Sequence, residues 1–163
     1  PVVEIVVEFR QIDILHLFIP AAELPDEEYP FTLTTGRMLF HWHTGSMTRR
    51  SDTLANEVPT GFVEINPEDA AELGIKNKEM VSVKTRRGEI TIGAKVTPDI
   101  MKGVIFIPFH FVECAANTLT QSFALDPAAK MPEFKVSAAN VSKLDSSAAM
   151  AETAPGKAYD IGK

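Results

Sequence analysis

Cysteine is nearly absent from this chain of 163 residues: Cys114 is the only one. A single thiol excludes an intramolecular disulfide framework and any cysteine-rich zinc or iron–sulfur site within the sequence. It fits a reducing compartment, and a cytoplasmic location is expected. Long hydrophobic runs are missing too. The apolar stretch at residues 14–19 falls well short of the roughly 20 residues that cross a bilayer as a helix. The basic region and small-residue cleavage pattern of a signal peptide are not seen, and the chain opens at Pro1, as expected of a processed product or a piece of something longer. Positive charge is in deficit. A net charge of −6 argues against general binding to nucleic acid or to an anionic membrane.

The most telling absence is local. No acidic residue occurs between Tyr29 and Ser51, although the chain as a whole is acidic. That stretch holds Arg37, Arg49, Arg50, His41, His43, Gly36, Gly45 and a run of hydroxyls. A backbone that must come close to a polyanion uses amides, hydroxyls and guanidinium forks in this way. A polar loop that happens to lack carboxylates would read the same, so both readings stand at this point.

What is present is ordinary in bulk. A hydrophobic content of 45% with 23% charged residues supports one globular domain with its own core. Residues 2–9 read as a β-branched strand and residues 12–19 as a second apolar run. Residues 20–30, with three prolines and an acidic cluster, read as a surface connection. Residues 31–34 alternate apolar with hydroxyl, the period of a half-buried strand that delivers its end into Thr35-Gly36-Arg37. A long loop is expected over 44–59 and a short strand over 61–65.

Asn66 then suits a helix N-cap and Pro67 the first helical position, while Gly74 can end the helix in the left-handed conformation. Residues 79–85 and 89–96 alternate around Arg86-Arg87-Gly88, a hairpin with a solvated turn. The apolar run at 104–107 reads as a strand buried on both sides. A loop over 109–123, a closing strand over 134–141 and a mobile tail from 144 complete the chain. Six or seven short strands with one or two short helices favour a β-barrel over a sandwich.

Chemistry-bearing residues are few. His41 and His43 stand two apart and would share one side of a strand; no third metal ligand accompanies them. Ser46 lies near both but lacks the nucleophile-elbow pattern and an orienting acid. Glu68, Asp69 and Glu72 read as a helix surface, and Cys114 as a packed core thiol. A second loop, Cys114 to Gln121, offers hydroxyls and the amides of Asn117 and Gln121 without charge, groups suited to the edge of a nitrogen heterocycle. The inventory is one for binding, and it points to a ligand carrying phosphates and a fused ring.

Several separated motifs in order carry a resemblance. Tyr29-Pro30-Phe31-Thr32-Leu33-Thr34-Thr35-Gly36-Arg37, His41, Ser46-Met47-Thr48, Gly61-Phe62-Val63-Glu64-Ile65-Asn66-Pro67-Glu68-Asp69-Ala70 and Leu73-Gly74-Ile75 resemble the C-terminal molybdopterin-dinucleotide-binding domain of the dimethyl-sulfoxide-reductase family. Pro108-Phe109-His110-Phe111, Ala115-Ala116-Asn117, Leu119-Thr120 and Pro132-Glu133-Phe134-Lys135 are most similar to formate dehydrogenase alpha subunits. The resemblance covers roughly residues 23–143.

It implies a six-stranded double-psi β-barrel over 29–143, with an N-terminal extension and linker over 1–28 and a flexible tail over 144–163. It also implies a bis(molybdopterin guanine dinucleotide) cofactor bearing molybdenum or tungsten. By position, Thr35, Gly36, Arg37 and Met38 match a first cofactor contact, with His41 and His43 beside it. Phe109 and His110 match a second, Asn117 a third, and Phe134 with Lys135 a fourth. The family's metal ligand, active-site histidine and arginine, and iron–sulfur cysteines have no counterparts here. The resemblance therefore implies that upstream domains of the same subunit complete the site, that an electron-transfer subunit accepts the electrons, and that this piece alone is not catalytic. A stand-alone small barrel subunit, as in formylmethanofuran dehydrogenases, and a non-redox double-psi barrel recognition domain remain as alternatives.

Overall fold

The computed structural model describes residues 20–144, so the expected strand at 2–9, the apolar run at 12–19 and the tail beyond Leu144 lie outside the described residues. Six strands close into a barrel: β1 (Phe31–Gly36), β2 (Phe62–Ile65), β3 (Met80–Lys84), β4 (Glu89–Val96), β5 (Val104–Pro108) and β6 (Ser137–Lys143). Around the barrel the order is β1, β5, β2, β4, β3, β6, and β6 pairs back onto β1. Closure leaves no unpaired sheet edge to be protected.

Alternation along each strand decides which side chains face inward. Leu33, Val63, Ile65, Val81, Val83, Ile92, Ile105, Ile107 and Val141 fill the interior and have essentially no exposed surface. Within the run 104–107 only Ile105 and Ile107 are fully buried. Val104 and Phe106 are half-buried, which corrects the expectation of a strand covered on both sides. A barrel has one packed interior, and Phe106 lies on the outer face beside Gly36.

The helix expected after Asn66 forms as α2 (Pro67–Glu72), preceded in the chain by α1 (Asp52–Glu57). The Asn66 side chain accepts from the Glu68 N–H at 2.9 Å and donates to the Ile100 carbonyl at 2.8 Å. At the other end the Ile75 N–H donates to the Ala70 carbonyl and the Gly74 N–H to that of Ala71, with Gly74 at φ +67°. This is the paired closure that a left-handed glycine allows. Asp69 is not a surface carboxylate: it is buried and accepts from the Gly103 N–H at 2.7 Å, tying the helix to the turn before β5.

Three further expectations change. Residues 44–59 are not all loop, since a 3-10 turn (Thr48–Arg50) and α1 lie within them. None of the residues of α1 is buried, so no apolar period marked it. The closing strand starts at Ser137, three residues later than expected. Phe134 and Lys135 are bonded to Thr35 and take no part in the ladder.

The turn Arg86-Arg87-Gly88 is not simply solvated either. Arg86 and Arg87 both pair with buried Glu23, at 2.7 and 2.8 Å. Arg86 also pairs with Asp26 and lies 4.5 Å from the Tyr29 ring centre. The connection at residues 20–30 is thereby strapped to the barrel. Among the described residues no helix is long and apolar enough to cross a membrane.

Candidate functional site

Topology brings three segments to one rim. β1 and β5 run parallel, with Gly36 opposite Pro108, so the loops that follow them leave the barrel side by side. β6 runs antiparallel to β1, with Ser137 opposite Leu33, so the segment preceding β6 arrives at that same rim. The chemistry-bearing residues lie on these segments: Arg37 to Gly45 after β1, Phe109 to Gln121 after β5, and Phe134 with Lys135 before β6.

Direct bonds lock the junction. Thr35 is buried; its hydroxyl donates to the Phe134 carbonyl at 2.7 Å, and its own carbonyl accepts from the Lys135 ammonium at 2.5 Å. The Phe109 N–H donates to the Gly36 carbonyl at 3.2 Å. A Cβ on Gly36 would lie 2.6 Å from the Phe106 ring. Packing against this ring on the outer face of the barrel favours glycine here, independently of any ligand.

The histidines divide by burial. His41 is buried: its Nε2 lies 2.8 Å from the Val58 carbonyl and its Nδ1 3.1 Å from the Thr48 hydroxyl. That hydroxyl also accepts from the Trp42 N–H at 3.2 Å. His110 is buried as well. Its Nε2 accepts from the Met38 N–H at 2.8 Å, and its Nδ1 meets the His43 carbonyl. Burial pushes the His110 pKa below the ordinary value, against a raising bond to the His43 carbonyl, and nearby His41 and Arg37 add to the lowering. Both rings hold the loop in shape with their nitrogens already engaged.

His43 is exposed at φ +47°, a left-handed backbone, and its ring meets Trp42 edge-on at 4.6 Å. The two histidines do not share the side of a strand, because no strand continues past Gly36.

Exposed groups complete the rim. Among the described residues the guanidinium of Arg37 has no hydrogen-bond or ion-pair partner, and neither does the side-chain amide of Asn117. Asn117 stands on a 3-10 turn (Ala116–Thr118) held from behind. A Cβ on Gly88 would lie 2.7 Å from Thr118, and the Arg87 Nε–H donates to the Leu119 carbonyl at 3.0 Å. Lys135 and Phe134 are exposed, and Phe109 is half-buried against the His110 ring at 4.8 Å. Arg49 is neutralised by Glu113 in a two-point pair at 2.5 and 3.1 Å.

Reasoning from sequence missed the residues that shape this rim: Thr48 and Val58 behind His41, Glu113 against Arg49, and Glu23 behind Arg87. It also passed over Leu39 and Trp42, which are exposed on the first loop. Large apolar residues in a loop without period were the signal available for these two.

The donor set suits an anionic ligand with a polar ring. It offers unpaired guanidinium and amide groups, an ammonium and aromatic faces, on a loop free of carboxylates. It does not suit a metal by itself, since among the described residues no three of His, Cys, Asp and Glu gather. Elsewhere, a groove of about 790 Å3 between Phe62, Met80, Gly93 and Cys114 is lined mainly by apolar groups; it touches the second loop at Glu113 and Cys114 but includes none of the residues matched to a cofactor contact.

The chain is similar to known proteins. Residues 31–138 match the family model of the molydopterin dinucleotide binding domain. The alpha subunit of F420-dependent formate dehydrogenase 1 from Methanococcus maripaludis is 61% identical over 122 residues, which are 75% of this chain and 18% of that protein. The F420-dependent formate dehydrogenase alpha subunit of Methanocaldococcus jannaschii is 51% identical over 138 residues, 85% of this chain and 19% of that one. A periplasmic nitrate reductase of Desulfovibrio desulfuricans is 44% identical over 123 residues, 76% of this chain and 16% of its own length.

The chain thus spans about a fifth of the length of the curated relatives it matches. Among solved structures, acetylene hydratase from Pelobacter acetylenicus has the same fold with a TM-score of 0.67 and 20% identity, over 83% of this chain and 22% of that one. The chain belongs to the molydopterin dinucleotide binding domain family.

Proposed function

We propose that this chain is the C-terminal cofactor-holding domain of a molybdenum- or tungsten-dependent formate dehydrogenase alpha subunit, and that its rim binds molybdopterin guanine dinucleotide. The observation that carries this reading is the convergence of the three rim segments, with Arg37 and Asn117 unpaired, the Lys135 ammonium on the Thr35 carbonyl and no carboxylate on the first loop. Arg37 supplies a planar fork for phosphate or pterin oxygens. Asn117 can donate to and accept from a heterocycle edge. Lys135 neutralises charge, and Phe109 and Phe134 present apolar faces. Thr35, His41 and His110 act behind them as scaffolding.

When bound, the metal–pterin group supplies the two-electron redox centre at which formate becomes carbon dioxide. This chain's own residues orient and hold that group. Upstream domains complete the site, an electron-transfer subunit accepts the electrons, and a cytoplasmic location accompanies the reading. Its support is the identity to formate dehydrogenase alpha subunits, which exceeds that to the nitrate reductase.

The test is to produce the full-length subunit and measure its metal, its pterin and its oxidation of formate. In that protein Arg37→Ala is expected to weaken pterin retention on the order of tenfold, as loss of one charge-assisted bond does. A full-length protein devoid of pterin would overturn the reading, and full retention in Arg37→Ala would remove Arg37 from the site.

A further inference from the structure

The two buried histidines meet the first loop through partners of different chemistry. His41 faces a carbonyl and a hydroxyl. A hydroxyl can donate or accept, so the Thr48 side chain serves the ring whether or not Nδ1 carries a proton. His110 has no such latitude. Its Nε2 takes a bond from the Met38 N–H, which has no lone pair, and its Nδ1 meets the His43 carbonyl, which can only accept. Those partners admit one ring state: neutral, with the proton on Nδ1.

We propose that His110 is a positioning residue: its neutral ring ties the backbone at Met38 to that at His43, and protonation of the ring at Nε2 undoes the tie and weakens the rim's hold on its pterin dinucleotide. The ligand half of this statement rests on the proposed function; the tie does not.

Three observations converge on the tie. The ring is 2% exposed, so water cannot take over either bond. The backbone between the tied points ends in the left-handed conformation at His43, which a free loop of ordinary residues seldom holds. Phe109, the preceding residue, is itself bonded to Gly36, so the ring is carried on a fixed strand end and can act as a post.

The groups around the ring oppose a proton. The His41 ring lies 5.7 Å away, Arg37 and His43 stand on the tied loop, and Arg49 reaches over Phe111 from the 3-10 turn. The carboxylate on the neighbouring turn, Glu113, is already engaged by Arg49.

The pH direction follows by linkage. With the loop open, the ring takes up a proton near the ordinary 6.5; with the loop tied, burial first, then neighbouring His41, Arg37 and His43, hold the value lower. The tie is at full strength above about 6.5, declines as pH falls from there, and levels off below the lowered value of the tied form.

The experiment uses the full-length protein that carries this chain, comparing wild type with His110→Gln. Pterin retained after gel filtration is measured by its fluorescence from pH 8 to pH 5, and hydrogen exchange of the segment Met38 to Gly45 is followed alongside. Wild type is expected to release pterin on the order of tenfold faster at the acid end, the size of one lost buried bond. It should lose protection in that segment with a one-proton dependence. His110→Gln, which cannot titrate, should show neither pH step. Identical pH profiles in the two proteins would overturn the proposal. If neither protein holds pterin at any pH, the proposed function fails and the exchange data alone decide the tie. If His110→Gln fails to fold, wild-type protection that is flat between pH 8 and 5 overturns it.

Discussion

Removing the Glu23 carboxylate should destabilise the barrel more than an ordinary surface mutation. Glu23 is only 7% exposed. It pairs with Arg86 and Arg87 and accepts from the Ala138 N–H at 3.1 Å. In Glu23→Ala the buried Ala138 N–H loses its acceptor, at about 1–3 kcal/mol. Arg87 loses its counter-ion, and stripping one partner from a buried pair costs about 3–5 kcal/mol. That second figure must be cut. Arg87 is one-fifth exposed and keeps the Leu119 carbonyl, while the more exposed Arg86 keeps Asp26 and the Tyr29 ring. A net loss of about 3 kcal/mol remains, equivalent to roughly 10 °C in Tm for a domain of this size.

Urea unfolding of the chain at pH 7 measures it. Glu23→Gln separates the parts, because its amide oxygen can still accept from Ala138. The pH dependence gives a further check. Burial pushes the Glu23 pKa up, but bonds from Arg87, Arg86 and the Ala138 N–H outweigh this and hold it below the ordinary 4.5. The stabilisation is therefore complete above about 4.5 and is lost as pH falls through the lowered value. Glu23→Gln should blunt that acid loss. A Glu23→Ala cost below about 1 kcal/mol, the range of exposed pairs, would refute the argument.

Two further outcomes follow from packing. Gly36→Ala places a methyl 2.6 Å from the half-buried Phe106 ring and should cost about 1–3 kcal/mol in urea unfolding, as overpacking does. Trimming Phe106 to leucine in the same chain should recover most of it, whereas a glycine kept for a ligand alone would show no such recovery. The Cys114 thiol is pushed up to about 11, chiefly by burial and further by Glu113. Native protein at pH 8 should therefore resist alkylation by iodoacetamide and become labelled only in denaturant; rapid native labelling would contradict the burial.

The legible parts of the fold were those written locally. The strand at 31–34, the cap at Asn66, the hairpin around 86–88 and the run at 104–107 each follow from period or from turn chemistry, and each has its counterpart in the barrel. What escaped depends on pairs far apart in the chain. Glu23 reads as one more acid in a proline-rich connector until Arg86 and Arg87, over sixty residues later, come beside it. Asp69 carries the pattern of an exposed first-turn acid, and only the position of Gly103 buries it. Helix α1 has no buried face, so no hydrophobic period could announce it.

The site was legible in a different sense. Residue types and the gap in acidic charge drew attention to segments that the barrel brings to one rim, but not to which residues face outward. Histidine in a polar loop looks like a ligand contact, and here two of three such rings are spent on the protein itself. The distinction needs burial and partner identity, and neither is a property of a short window.

That division of labour bears on how the rim can hold a large anion in an acidic chain. A cationic loop left to itself would be pushed apart by its own charges and would meet the surrounding carboxylates. In this barrel the carboxylates near the rim are already engaged: Glu113 on Arg49, Glu23 on Arg86 and Arg87, and Glu133 on the Ala22 N–H at 3.0 Å. The arginines so occupied are those that brace the loops; of the two left unpaired among the described residues, Arg50 sits on the 3-10 turn and Arg37 stands next to the residue tied by His110. Hydrogen bonds from Thr35 and the neutral His110 ring shape the loop without adding charge of either sign. Under the proposed function the ligand meets the unpaired Arg37 guanidinium, the Lys135 ammonium and the Asn117 amide on a backbone already fixed. Little ordering entropy then remains to be lost on binding, and pre-organisation of that kind raises affinity without any new contact.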